Sequence, residues 1–242
     1  MAHGLTGEQP ESIPPRLRSL YEPLSDLGDP PSAPVGRLYR RLRWNLGDRL
    51  FDRRLDTVGR RTELEHFHSE YNRYEPSAWW YFRSAMRRRE VAPDDVFVDF
   101  GSGLGRVLYQ AARLPFRRVV GVEVSPALAD ESRTKLEQVR ERLRCQDVEV
   151  VCADAAEFTV PDDMTYAYFY HPFGGRTFDR VMDNIIESMD RRPRSVRLIY
   201  VCPAMEDVIL GTGRFRLERR VKGGWRDREI RWRISVYRND TA

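Results

Sequence analysis

The 242-residue sequence reads as an α/β protein with a mainly parallel sheet, helices on both sheet faces and a terminal antiparallel hairpin. Three observations predict it. Short apolar runs alternate with helix-like segments five times between Val96 and Cys202, a pattern that builds parallel strands joined by crossover helices. A glycine-rich loop, Gly101-Ser102-Gly103-Leu104-Gly105, follows the first apolar run directly. Two final β-rich runs are joined through Lys222-Gly223-Gly224-Trp225 with no helical pattern between them.

The elements follow in order. Residues 1–34 hold seven of the fifteen prolines and one aromatic residue, Tyr21, and read as an irregular lead-in. Residues 35–61 read as an Arg-rich helical extension or lid. Leu38, Leu42 and Leu46 share one face there, with arginines opposite. The main domain is expected over 62–242. Pro76 disfavours helix at Glu75, and Ser77 can cap a helix starting at Ala78. Trp79, Phe82 and Met86 share a face of it, and Trp79, Trp80 and Tyr81 read as helix core. Residues 96–100 form a first strand, 104–114 a helix and 118–124 a second strand. Ser125-Pro126 opens a helix running to about 143, because Pro at the first helical position loses no needed N–H. Residues 148–153 and 166–171 are the third and fourth strands. Phe178, Val181, Met182, Ile185, Ile186 and Met189 recur at helical spacing and mark an amphipathic helix. A fifth strand over 196–202, a short helix closed by Gly211, and β runs over 215–221 and 228–238 complete the pattern.

Charge and cysteine usage narrow the function. Net charge is +4, and Lys135 and Lys222 are the sole lysines, so arginine supplies nearly all of the positive charge. Residues 37–61 hold nine arginines against three aspartates, more positive charge than the whole chain carries. The body is therefore near neutral, which argues against a basic face for nucleic acid. Cys152 and Cys202 lie inside apolar runs, and with Cys145 they make an odd count without paired spacing. Buried free thiols in a reducing compartment are expected. His66 and His68, two apart, form no metal pattern, so no metal is expected. No apolar run approaches the ~18 residues of a membrane span, and no leader pattern is visible. A cytoplasmic location without a membrane partner is expected.

The glycine loop is the most informative stretch. A phosphate-binding loop would read GxxxxGK[ST], which is absent, and a dinucleotide loop would read GxGxxG. Here the spacing is GxGxG, and Asp99 lies two residues before the first glycine. An anion facing a pyrophosphate is unfavourable, whereas an anion facing an ammonium is favourable. Glu123 follows Asp99 by 24 residues, near the spacing at which an acid meets ribose hydroxyls in βαβ nucleotide sites. Asp154, flanked by the small residues Cys152, Ala153 and Ala155, could accept from an adenine amine. S-adenosylmethionine, a nucleoside with an amino-acid end, fits these charges.

The stretches VFVDFGSGLGR, VVGVEVS, VVCADAAEF and YFYHPF, in this order over about 94–203, resemble the nucleotide-side motifs of class I S-adenosylmethionine-dependent methyltransferases. The resemblance implies a Rossmann-like methyltransferase fold with a seven-stranded sheet and an antiparallel last strand. It implies that Asp99 and Gly101 lie by the methionine moiety, Glu123 by the ribose and Asp154 by the adenine. Ser102, Gly103, Gly105, Val124 and Ala155 belong to the same expected cofactor surface.

The stretch YEPSAWWYF resembles the segment before the glycine loop in Dot1-like methyltransferases, which implies that Tyr74, Glu75 and Ser77 touch the cofactor's amino-acid end. That similarity stops after the fourth strand. An asparagine-rich stretch of the family is replaced by Tyr170-His171-Pro172-Phe173, and no lysine-rich tail is present.

On the acceptor side, His171 could take a proton from a hydroxyl or phenol, or cap the strand end. Pro172 and Phe173 could wall the transfer site, and Tyr74, Tyr170 and Phe173 could offer π-faces to the sulfonium. The expected function is methyl transfer from S-adenosyl-L-methionine to an oxygen or nitrogen of a small-molecule or modified-peptide acceptor, with S-adenosyl-L-homocysteine as product and His171 and Tyr170 as catalytic candidates. The alternatives are a Dot1-like protein N-methyltransferase and a non-catalytic cofactor-binding scaffold.

Overall fold

The computed structural model describes residue 55, residues 70–72, 74–221 and 233–239. The lead-in over 1–34, the helical extension over 35–61 apart from Leu55, the histidines at 66 and 68, and the link over 222–225 lie outside the described residues.

Seven strands form one sheet in the order β3-β2-β1-β4-β5-β7-β6. They are β1 (Val96–Phe100), β2 (Arg118–Glu123), β3 (Val148–Cys152), β4 (Tyr166–Tyr170), β5 (Arg197–Val201), β6 (Phe215–Val221) and β7 (Ile234–Asn239). The first five pair in parallel. β7 inserts antiparallel between β5 and β6, as expected of the terminal hairpin. The helices are α1 (Trp79–Ala85), α2 (Arg106–Ala112), α3 (Pro126–Gln138), α4 (Gly175–Arg191) and α5 (Glu206–Gly211).

Side chains alternate across each strand, so the sheet divides the core in two. Phe97, Val119, Tyr168 and Ile199 face one layer with Trp79, Phe82 and Leu108. Val98, Phe100, Phe169 and Tyr200 face the other, against the apolar stripe of α4. That stripe is the expected one: Phe178, Val181, Met182, Ile185 and Met189 are all buried. Leu55 joins the first layer, and Lys135 Nζ donates to its carbonyl at 2.8 Å.

Five local expectations are corrected. α1 begins at Trp79 with Ala78 at the cap position and no side-chain cap. Ser77 is buried, and its hydroxyl lies 3.2 Å from the Tyr168 hydroxyl instead. α2 starts at Arg106 rather than at 104, because Gly105 holds a left-handed φ of 77° just before it. α3 ends at Gln138, and a 3-10 turn over Arg140–Arg142 follows. Cys152, the last residue of the edge strand β3, is exposed, while Cys145 and Cys202 are buried. Trp80 is also exposed, whereas Trp79 and Tyr81 are buried.

The chain order reverses between β1 and β4. In parallel sheets of this kind the crevice beyond the carboxyl ends of such neighbours is where ligands lie. Asp99 and the glycine loop come from β1, and Tyr170 and His171 from the end of β4.

Candidate active site

The glycine loop keeps its own N–H groups. Gly101 N and Ser102 N both donate to the Val122 carbonyl, at 2.9 and 3.0 Å, and Gly105 N donates to the Ser102 carbonyl at 3.0 Å. Gly103 N donates to Glu123 Oε2 at 2.8 Å. A loop that cradles phosphate presents these groups to the ligand. Here four of them are committed to protein acceptors, in accord with the rejection of a phosphate or dinucleotide ligand.

The glycines make room for protein. Gly101 and Gly103 adopt left-handed φ values of 79° and 52°. A Cβ on Gly101 would lie 2.5 Å from Pro172 Cβ, and one on Gly103 would collide with the Tyr74 ring. Pro172 and Tyr74, both expected at the site, therefore seat directly on the loop. Ser102 turns its side chain over Gly121 on β2, so of the expected loop residues it faces inward.

Two acids stand beneath this loop. Glu123 is buried, and each of its oxygens already holds a backbone N–H, Gly103 N on Oε2 and Ser125 N on Oε1 at 3.0 Å. Burial raises its pKa, and these backbone donors oppose the rise. Asp99 is buried, and no donor among the described residues reaches its carboxyl. Burial first, and the nearby Glu123 charge second, push its pKa well above the ordinary carboxylate range. A buried carboxyl without a partner is unfavourable unless a cation or donor arrives. The ammonium of an amino-acid ligand supplies both, so the residues present fit S-adenosylmethionine.

Asp154 is half-buried at the end of β3. Its Oδ1 accepts from the Tyr71 hydroxyl at 2.5 Å and from Ala156 N at 2.7 Å. Val124 is half-buried and Ala155 buried beside these acids.

The acceptor side lies across the crevice. His171 has a left-handed φ of 40°, and Cys202, at the matching end of neighbouring β5, has 54°. Non-glycine residues held this way cluster at functional sites. His171 Nδ1 lies 3.4 Å from the Tyr200 hydroxyl, and burial pushes the imidazole down to about 4. It is neutral at pH 7 and a weak base. Tyr170 packs against Tyr81 with ring centroids 5.5 Å apart. Burial, with the charge of exposed Glu75 contributing, pushes the Tyr170 phenol well above its usual range. Phe173 is fully buried in the α4 layer.

Three site residues escaped the sequence reading. Glu70, Tyr71 and Asn72 run across the ends of the strands as a strap. Tyr71 bridges antiparallel to Phe173, and their rings lie 5.7 Å apart, edge to face. Asn72 N donates to the Pro172 carbonyl at 3.0 Å and its Nδ2 to the His171 carbonyl at 2.7 Å. The Glu70 carboxylate accepts from Arg176 N, Thr177 N and the Thr177 hydroxyl at the start of α4. Arg106, buried, donates to the Ser77 carbonyl at 2.8 Å and lies over the Trp79 ring, which ties the segment carrying Tyr74 and Glu75 to α2. An aromatic-rich stretch from Tyr71 was the one sequence signal for the strap.

Residues 97–192, from β1 to the end of α4, match a family model described as a methyltransferase domain. By this match, residues 97–192 form a methyltransferase domain. A 52-residue stretch is 44% identical to a Dictyostelium discoideum histone-lysine N-methyltransferase specific for H3 lysine 79; it covers 22% of this chain and 3% of that protein's length. Among solved structures, the methyltransferase domain resembles the precorrin 8W decarboxylase of Methanobacterium thermoautotrophicum at 19% identity and a TM-score of 0.50, covering 69% of this chain and 92% of that one. A candidate RNA methyltransferase from Pyrococcus horikoshii matches at 15% and 0.51, covering 78% and 95%. An RNA methyltransferase from Salinibacter ruber in complex with S-adenosyl-L-homocysteine matches at 20% and 0.47, covering 69% and 94%. At these identities the first two structures share the fold with the domain. S-adenosylmethionine fits a methyltransferase domain here through Asp99, whose carboxyl no donor among the described residues meets.

Proposed function

We propose that this chain transfers a methyl group from S-adenosylmethionine to an oxygen or nitrogen of a small-molecule or modified-peptide acceptor. The observation that carries the reading is Asp99, a buried carboxyl that no donor among the described residues meets. It stands where the sequence pattern calls for an ammonium partner. Glu123 would meet the ribose through the lone pairs its backbone donors leave over, and Asp154 the adenine amine. Tyr74, Glu75 and Ser77 would close the amino-acid end. The bound sulfonium supplies an already activated methyl group, so the protein's part is alignment and exclusion of water.

Tyr170 and His171 are the proposed acceptor-side residues. A proton acceptor matched to a hydroxyl needs more basicity than an imidazole near 4 provides. We therefore assign His171 to orienting the acceptor. The near-neutral body outside residues 37–61 supports a small or peptide acceptor over nucleic acid. The 52-residue match keeps a Dot1-like protein N-methyltransferase as the second reading.

Calorimetric titration of the full chain with S-adenosyl-L-homocysteine tests the cofactor assignment, and absence of binding heat overturns it. Incubation with methyl-labelled cofactor and separate pools of metabolites, peptides and histones tests the acceptor. Label in histone alone favours the second reading.

A further inference from the structure

The strap places a phenol on the acid expected at the adenine. The Tyr71 hydroxyl and Ala156 N both donate to Asp154 Oδ1, and no donor among the described residues reaches Oδ2. The carboxylate is thus held by one oxygen and offers the other. Tyr71 is itself fixed by its bridge to Phe173, with Asn72 bonded to Pro172 and His171 on one side and Glu70 anchored on α4 on the other. A carboxylate hydrogen-bonded twice on a single oxygen has little freedom to rotate.

We infer that Tyr71 is a positioning residue that sets base specificity: it locks Asp154 so that Oδ2 stands as a fixed acceptor for an exocyclic amine, selecting a 6-amino over a 6-oxo purine. This rests on the S-adenosylmethionine reading. A 6-amino group donates to Oδ2, whereas a 6-oxo group faces it lone pair to lone pair. A site built to bond one partner rejects an analogue that leaves it unpaired. Without the phenol, Asp154 can turn aside, which weakens the attraction and relieves the repulsion together. Tyr71 touches no reacting atom and acts through Asp154.

The test is calorimetry of the full chain with two probes, S-adenosyl-L-homocysteine and its 6-oxo analogue S-inosyl-L-homocysteine. The wild type should prefer the amino form. Tyr71→Phe should weaken the amino form roughly tenfold, as expected for one hydrogen bond to a charged group, and should narrow the preference between the probes. A merely structural role would weaken both probes alike and leave the ratio unchanged, which would overturn the inference, as would unaltered binding of both. Asp154→Asn gives a second arm. With Tyr71 donating to the amide oxygen, its NH2 faces the base and the preference should invert toward the 6-oxo probe. In the double variant Y71F/D154N that inversion should disappear, and its persistence would contradict the lock. If the wild type binds neither probe, the cofactor reading itself fails.

Discussion

Replacing Glu70 by Ala removes the cap of the longest described helix. α4 has Gly174 at its cap position, with no side-chain cap and no acidic residue in its first turn. The Glu70 carboxylate supplies both from outside the helix, through Thr177 N at 2.8 Å, the Thr177 hydroxyl at 2.7 Å and Arg176 N at 3.2 Å. A lost cap costs about 1 kcal/mol. An anion at a half-buried helix N-terminus adds about 0.5–1 kcal/mol. Glu70→Ala should therefore destabilise by about 1.5–2 kcal/mol. At roughly 2–4 °C per kcal/mol for a chain of this size, Tm should fall by about 3–8 °C. Glu70→Gln keeps acceptor capacity and loses charge, so it should fall by about half as much. The gap between Gln and the wild type should shrink in high salt, because that part is screened charge. Scanning calorimetry with urea unfolding checks this. A Tm within 1 °C of wild type for Glu70→Ala would refute the capping argument.

Further outcomes follow from the buried groups. Asp99→Asn should abolish S-adenosyl-L-homocysteine binding while stabilising the ligand-free protein at neutral pH. The wild-type carboxyl is favoured neutral in the fold, so its contribution is intact at acid pH and lost as pH rises toward its raised value. Urea unfolding at pH 4 and pH 7 should show the variant's advantage widening, and a constant gap argues against the burial account. His171, held neutral near 4 rather than 6.5, should make the wild type lose up to about 3 kcal/mol between pH 6.5 and 4. His171→Gln should flatten that slope, and an unchanged slope removes the assignment. Phe178, fully buried with ring centroids 5.3 Å from Tyr200 and 5.6 Å from Phe169, should destabilise by about 3–5 kcal/mol on change to Ala; a smaller loss by urea titration would show that α4 repacks.

The strands were legible because an apolar run long enough to cross a buried parallel sheet has few other readings. Residues 96–100 and 215–221 match the structure end to end. Asp99 and Glu123 stood out for the same reason: each is an acid inside or ending an apolar run, and both are buried near the carboxyl ends of their strands. Local helix signals misled where a distant partner competed. Ser77 has the chemistry of a cap, yet a tyrosine 91 residues away takes its hydroxyl. The strap was hidden because its partners lie far along the chain, Asp154 being 83 residues from Tyr71, and no periodicity marks a three-residue crossing. The glycines pointed to a close approach but not to its source. Tyr74 and Pro172 fill that space, and only the fold brings them there.

The most direct measurement is a crystal structure of the full chain grown with S-adenosyl-L-homocysteine. The ligand's α-ammonium should lie within hydrogen-bond distance of the Asp99 carboxyl, with its ribose at Glu123 and its adenine amine at Asp154. A ligand bound elsewhere, or one lying in the crevice with its ammonium turned from Asp99, would contradict the account.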